Sequence, residues 1–130
     1  MRIGELARAT GTKAETIRYY EREGVLPLAD RTQGNYRDYS PEHLATLGFI
    51  RRARELGFSM AQVRELLDLS DRADKPCEEV DLMVKNQLAE VDRRIADLTR
   101  LRGELSQMLG ACKGEQIGEC RVIESLGRRG

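Results

Sequence analysis

A heptad repeat in the last third of the chain constrains the fold more than any other feature. Apolar residues recur every seven positions in two series that run side by side: Val84, Val91, Leu98 and Leu105, and Leu88, Ile95 and Leu109, the second interrupted by Arg102. This spacing predicts one continuous helix from Glu78 to Leu109, about 48 Å long at 1.5 Å per residue. Since the rest of the chain offers too little apolar surface to cover the seam, we expect a second copy to cover it in a coiled coil.

The composition favours the same kind of structure. The 130 residues are 40% apolar and 34% charged, with two Phe and no Trp, which suits long amphipathic helices better than a β-sandwich. The 22 basic and 22 acidic side chains cancel, which argues against a polycation that coats nucleic acid but leaves specific DNA binding open. No apolar stretch is long enough for a membrane span, and Glu5 interrupts the place of a signal-peptide core, so we expect a cytoplasmic protein.

The N-terminal residues are predicted to form a helix-turn-helix. One helix is expected over 3–9, and a second runs from Lys13 to about Glu23 after the turn Thr10-Gly11-Thr12. Thr12 and Glu15 have the spacing of a capping box, which predicts that Thr12 caps the second helix. Gly24 suits a left-handed stop after it.

The segment LPLADRTQGNYRDY, residues 26–39, interrupts the helical pattern. Pro27 blocks a helix and Gly34-Asn35 is a turn signal, so a two-stranded ribbon, the wing, is predicted here. Ser40-Pro41 then starts a third helix, and Ser59 with Gln62 caps a fourth. His43 is the single histidine, and we expect it at the surface of the third helix.

Basic and aromatic side chains are placed on the second helix and the wing. Arginine contacts phosphates or guanine edges, and tyrosine hydroxyls add phosphate contacts. The candidates for DNA contact are Arg18, Tyr19, Arg31, Tyr36 and Arg37. The alternative for each residue alone is a solvated charge or a core tyrosine, so the combination of turn, helix and wing carries the prediction.

Three cysteines form the second candidate site. Cys77 precedes the long helix, whose free amides and partial positive charge favour a thiolate. Cys112 and Cys120 bracket KGEQIGE, a loop that allows both sulfurs to meet one small ion. Thiolates select Cu(I), Zn(II) and the heavier divalent metals. A redox disulfide between Cys112 and Cys120, and three unrelated packing residues, are the alternatives.

The sequence argues against an enzyme. It has one histidine, away from the cysteines, and neither a P-loop nor a dinucleotide-binding fingerprint. A closed thiolate cluster also leaves no open position for a substrate. Water, Glu115 or Glu119 is a possible fourth ligand of the metal.

The order of these motifs resembles the MerR family of metal-responsive transcriptional regulators. The resemblance rests on IGELARATGTKAETIRYYEREGVLP, RTQGNYRDY, FIRRARELGFSMAQVRELLDL and CKGEQIGEC, and it extends over essentially the whole chain. It implies a mainly α fold, with a winged helix-turn-helix and an antiparallel coiled coil, in a cytoplasmic homodimer. It also implies that the dimer represses a promoter without metal. With metal it distorts the double-stranded promoter DNA, so that RNA polymerase transcribes metal-resistance or efflux genes.

The resemblance also implies the metal ligands. Cys112 and Cys120 match the loop ligands, and Cys77, contributed by the opposite subunit, matches a position that is Cys in sensors of zinc, cadmium, lead or mercury and Ser in copper sensors. Asp81 stands where copper-type members tend to have Lys. The seven-residue loop has the length common in copper sensors, so a Cu(I)/Ag(I) sensor using Cys112 and Cys120 only remains the alternative.

The resemblance divides the chain into four parts. It predicts a DNA-binding domain over 1–70, a hinge over 71–77, a dimerisation helix over 78–110, and a metal-binding loop with a short helix over 111–130. Arg18 and Tyr19 are then on the recognition helix, and Arg31, Tyr36 and Arg37 are in the wing.

Overall fold

The protein is mainly helical, with one short antiparallel sheet. The computed structural model describes residues 1–111 and 116–127 and divides into two compact units between Val80 and Asp81. The elements in chain order are α1 Ile3–Thr10, α2 Ala14–Arg22, β1 Asp30–Arg31, β2 Arg37–Asp38, α3 Pro41–Glu55, α4 Met60–Ser70, α5 Glu78–Met108, a 3-10 turn Ile117–Glu119 and α6 Arg121–Ser125. The predicted fold class, a winged helix-turn-helix followed by a long helix, is confirmed.

The first unit is built around a small apolar core. Helices α1 and α2 meet through Leu6 and Ile17, which are both fully buried. The core also contains Leu26 before the wing and Tyr39 after it, together with Leu47 and Ile50 of α3 and Val63 of α4. Four helices therefore share one core, which fixes how α2 is presented to solvent.

The start of α2 differs from the prediction. Thr12 was expected to cap this helix, but the cap residue is Lys13, in an extended conformation without a side-chain cap hydrogen bond. The reason is that Thr12 still belongs to the end of α1, where its amide donates to the Ala7 carbonyl at 3.1 Å. Gly11 turns the chain between the helices with φ 65°, and Gly24 has the predicted left-handed conformation with φ 73°.

The wing forms as predicted, although its strands are short. In the sheet Asp30 pairs with Asp38 and Arg31 with Arg37. The turn is closed by Asn35, which has φ 65° and donates its amide to the Thr32 carbonyl at 2.9 Å. With two residues in each strand, this ribbon has little stability of its own.

The caps of the next two helices are confirmed, whereas the prediction for His43 is wrong. Ser59 and Gln62 form the expected reciprocal pair of hydrogen bonds, at 2.8 and 3.2 Å. Ser40 is the N-cap of α3, so His43 stands at the third position and its ring turns back toward the cap. The Ser40 amide donates to His43 Nδ1 at 3.1 Å and Nε2 lies 3.0 Å from the Pro27 carbonyl, which leaves this histidine buried.

Helix α5 carries an exposed apolar face. None of its described residues is buried. The heptad positions within α5 range from Val91, 39% exposed, to Leu98, 64% exposed, and Leu109 just after the helix is 82% exposed. The expectation that a second copy covers this face stays a prediction. No helix among the described residues is both long enough and apolar enough to cross a bilayer.

Candidate metal centre and nucleic-acid interface

Helix α2 presents one polar face to solvent. Ile17 anchors the helix in the core, while the adjacent Arg18 is exposed and Tyr19 is 45% exposed. The ring of Tyr20 is half-buried, and its centroid lies 6.0 Å from that of Tyr19. Burial of one side of α2 therefore leaves the predicted Arg18 and Tyr19 together on its accessible side.

The wing adds two more exposed groups. Arg31 donates from a guanidinium nitrogen to the Asn35 carbonyl at 3.1 Å, which holds the arginine along the turn. Tyr36 is 54% exposed, and the guanidinium of Arg2 lies 4.0 Å from its ring centroid. Sequence reasoning missed Arg2, because its contact joins residues 34 positions apart and has no local signal.

Arg37, the fifth candidate for DNA contact, is engaged inside the protein. One of its guanidinium nitrogens lies 3.1 Å from Glu21 Oε1, on a carboxylate whose side chain is only 3% exposed. The Tyr39 hydroxyl donates to the same oxygen at 2.6 Å. The hydrogen bond with the neighbouring Tyr39 hydroxyl is the main cause that raises the pKa of Arg37, and the negative charge of Glu21 raises it further. Burial, and then the hydrogen bond to Glu21, raise the pKa of Tyr39.

Glu21 is a functional candidate that the sequence analysis overlooked. In a helix that is rich in charged residues, the sequence pattern predicts that a glutamate side chain is exposed to solvent. The available signal was its position four residues after Ile17, which places both on the same face of α2. That face is buried, so this carboxylate needed partners from another part of the chain.

The predicted metal ligands lie in different parts of the structure. Cys77 is a free, exposed thiol directly before α5. Cys120 is the half-buried N-cap residue of α6 and is disulfide-bonded, so a metal-binding form requires it reduced. Cys112 and the possible fourth ligand Glu115 lie outside the described residues.

Within the part of the chain that the structure describes, no three Cys, His, Asp or Glu residues are grouped closely enough to hold a metal. The other possible fourth ligand, Glu119, is exposed in the 3-10 turn before Cys120. Both ring nitrogens of His43 already have partners, so this histidine is not a free ligand. Cys77 offers a free thiol, and Cys120 offers one once it is reduced; their thiolates suit soft metals.

Comparison with known proteins agrees with this architecture. Residues 1–70 match the MerR HTH family regulatory protein model, and residues 44–108 match the MerR DNA-binding model. Heavy metal-dependent transcription regulator 2 of Rhizobium meliloti is 36% identical over 126 residues, which are 97% of this chain and 86% of that protein. The mercuric resistance operon regulatory protein of Bacillus cereus is 39% identical over 96% of both chains. A transcription regulator of Ralstonia metallidurans, solved in complex with lead(II), superimposes with a TM-score of 0.84 at 38% identity over 98% of this chain and 99% of that one.

These matches extend from the helix-turn-helix through the long helix, so the whole architecture is shared. The chain belongs to the MerR family. It is a DNA-binding helix-turn-helix transcription regulator that responds to heavy metals. The family predicted from the sequence is thereby confirmed.

Proposed function

We propose that this protein is a homodimeric regulator that activates metal-resistance or efflux genes when a soft divalent metal, Zn(II), Cd(II), Pb(II) or Hg(II), binds Cys77, Cys112 and Cys120. The observation that carries the proposal is Cys77, a free and exposed thiol immediately before α5. The mercuric and lead(II)-bound relatives support a divalent ion.

Charge balance favours three thiolates for such an ion. Two thiolates neutralise a monovalent ion with one negative charge left over, whereas a third thiolate offsets the additional charge of a divalent ion. In this proposal Cys77 comes from the opposite subunit, so the site is complete only in the dimer. The exposed apolar face of α5 supports dimerisation, because an isolated helix seldom leaves such a face in water.

The DNA-binding part of the proposal rests on exposure. Arg18 and Tyr19 of α2 contact the operator, and Arg31 and Tyr36 of the wing add contacts beside it. Arg37 is the fifth candidate, although its pair with Glu21 leaves it only partly exposed. Both copies bind promoter DNA in the cytoplasm. Metal changes the relative pose of the two recognition helices, and the resulting distortion of the DNA lets RNA polymerase engage the promoter.

The direct test of the metal site is a titration of the reduced, full-length dimer with Cd(II) in the presence of a competing chelator. Cys77→Ser should weaken Cd(II) binding by more than about 100-fold, since losing a direct ligand costs more than losing a group that only orients one. Lys75→Ser is the matched control, because Lys75 lies two residues away and is also exposed. Equal Cd(II) affinity in Cys77→Ser and in the unmodified protein contradicts the three-thiolate site.

Two alternatives to the three-thiolate divalent sensor predict different experimental results. The seven-residue loop favours a Cu(I)/Ag(I) sensor that uses Cys112 and Cys120 only, and tight Cu(I) binding that is indifferent to Cys77→Ser would establish it. The same loop also allows a disulfide between Cys112 and Cys120, so a thiol redox switch is the second alternative. Three titratable thiols after mild oxidation would rule that switch out.

A further inference from the structure

We propose that Glu21 is the positioning residue that fixes the wing against the recognition helix, and that Arg37 acts through Glu21 rather than through a contact with DNA. The inference rests on the proposed DNA-binding role of α2 and the wing, and it revises the part given to Arg37. It assigns a role in operator binding to a carboxylate, a group that DNA itself repels.

Three groups from the wing region converge on this one carboxylate. Oε1 of Glu21 accepts from the Tyr39 hydroxyl at 2.6 Å and lies 3.1 Å from a guanidinium nitrogen of Arg37. Its other oxygen, Oε2, accepts from the Ala29 amide at 3.4 Å. Because Ala29 precedes β1 while Arg37 and Tyr39 lie in or after β2, Glu21 holds both ends of the ribbon to α2.

A second buried polar group supports the same junction from α3. His43 Nε2 lies 3.0 Å from the carbonyl of Pro27, where the chain enters the wing. The His43 ring also meets the Tyr39 ring edge-on, with centroids 5.2 Å apart. The wing is therefore anchored at its base by side chains of α2 and α3.

The ribbon between these anchors has no apolar core of its own. From Pro27 to Tyr36 no residue is buried, and Leu28, its large aliphatic side chain, is 74% exposed. Two residues in each strand do not make a stable hairpin in water. The position of Arg31 and Tyr36 relative to α2 thus depends on the polar anchors at the base. Met1 binds Asp38 and the backbone of Tyr39 there, and Glu21 is the side chain with the most partners.

The direction in which Glu21→Gln changes operator affinity shows whether Arg37 contacts the DNA directly or helps Glu21 to position the wing. Glu21→Gln removes a negative charge near the DNA-binding face and releases Arg37 from its ion pair. If Arg37 contacts phosphate directly, both changes should tighten operator binding. If Glu21 positions the wing, binding should weaken although a repulsive charge has gone.

The experiment measures operator affinity by fluorescence anisotropy, using a labelled duplex that the unmodified protein has selected from random-sequence DNA. We expect Glu21→Gln to weaken binding about tenfold, the scale of one lost hydrogen bond to a charged group. Glu15→Gln is the matched control, because Glu15 is exposed on the same helix, and its affinity should stay unchanged or improve slightly. Unchanged or tighter binding in Glu21→Gln overturns the proposal.

A second readout needs no DNA. Amide hydrogen exchange over residues 28–38 should become about tenfold faster in Glu21→Gln, while exchange in α1 and α3 stays as it was. If no duplex is selected at all, the DNA-binding proposal fails, yet this exchange still decides whether Glu21 holds the wing. Unchanged exchange in the wing overturns the role of Glu21.

A double substitution and a milder variant complete the test. In the Glu21→Gln background, Arg37→Ala should cost little further affinity, whereas an undiminished cost assigns Arg37 to the DNA. If Glu21→Gln does not fold, Tyr39→Phe removes the hydroxyl, and with it the 2.6 Å hydrogen bond to Glu21, but keeps the ring in the core. Faster wing exchange in Tyr39→Phe supports the proposal, and unchanged exchange contradicts it.

Discussion

Arg64 of α4 lies 3.1 Å from a carboxylate oxygen of Glu23 and donates a second hydrogen bond, at 3.0 Å, to the Glu23 backbone carbonyl. Glu23 is the cap residue at the end of α2, so this contact joins α2 to a residue of α4 that lies 41 positions further along the chain. After α4 the chain runs through the predicted hinge to Cys77. The contact therefore ties the end of α2 to the helix that precedes the predicted hinge.

Loss of this contact should be measurable. Arg64→Ala should lower the free energy of unfolding by about 0.5–1 kcal/mol in urea, because both side chains are about half exposed and only the backbone hydrogen bond adds to a screened ion pair. Arg72→Ala is the control, since its pair with Asp68 has similar exposure but spans one helical turn. A loss no larger than that of Arg72→Ala would show that the contact does not stabilise the domain.

In the turn between α1 and α2, a side chain at Gly11 would displace the guanidinium of Arg51. Gly11 has φ 65°, and a Cβ there would meet the guanidinium of Arg51, which donates to the Thr10 carbonyl. Gly11→Ala should cost about 2–3 kcal/mol, from the left-handed backbone and the displaced Arg51 together.

Gly24→Ala is the matched control for that prediction. Gly24 has φ 73°, but no described atom beyond its chain neighbours lies within 4 Å of the place that a Cβ would take, so only the backbone cost of about 1–2 kcal/mol is expected. Equal losses in chemical unfolding of the two variants would show that the Arg51 contact contributes nothing.

Tyr39 should make stability sensitive to alkaline pH. Folding raises the pKa of Tyr39 from 10.0, through burial first and the hydrogen bond to Glu21 second. The contribution of the Tyr39 hydroxyl to the free energy of unfolding is therefore fully present below about pH 10, and it is lost as the pH rises through the folded-state pKa. Tyr39→Phe should be about 1–2 kcal/mol less stable than the unmodified protein at pH 8. This difference in the free energy of unfolding should become smaller by about pH 11, as measured by urea unfolding. A difference that stays constant with pH would show that the pKa of Tyr39 is not coupled to folding.

Helix α5 should dimerise through its heptad face. Leu88 is 59% exposed in the single chain and belongs to the apolar series, so Leu88→Glu should place two charges in the seam and yield a monomer in sedimentation equilibrium. Asn86→Glu, two residues away and off the apolar series, should leave the dimer intact. A dimer of undiminished strength in Leu88→Glu would exclude this face as the interface.

The parts of the fold that were predictable depend on local sequence patterns. Gly11 and Gly24 mark turns and Ser59 with Gln62 marks a helix start, each within a few neighbouring residues. The heptad positions mark α5 through a regular repeat along one helix. The wing was predictable for the same reason, because Gly34-Asn35 is a turn signal between polar strands.

The features that were missed depend on contacts between distant residues. His43 looked like a surface residue until Pro27, 16 positions earlier, proved to be its partner. Glu21 looked solvated until Arg37 and Tyr39 returned to it from the wing. Thr12 fits a capping box, but the carbonyl of Ala7 holds its amide in the previous helix. In each case tertiary packing decided between two locally acceptable arrangements.

The central claim is that a divalent metal acts through Cys77 to switch on transcription. The most direct measurement is run-off transcription by RNA polymerase from a promoter that carries the selected operator between its two recognition elements, with the reduced protein and a panel of metals. We expect Zn(II), Cd(II), Pb(II) or Hg(II) to increase the transcript with the unmodified protein, and Cys77→Ser to bind the operator equally well without any divalent response. An undiminished divalent response in Cys77→Ser would contradict the claim.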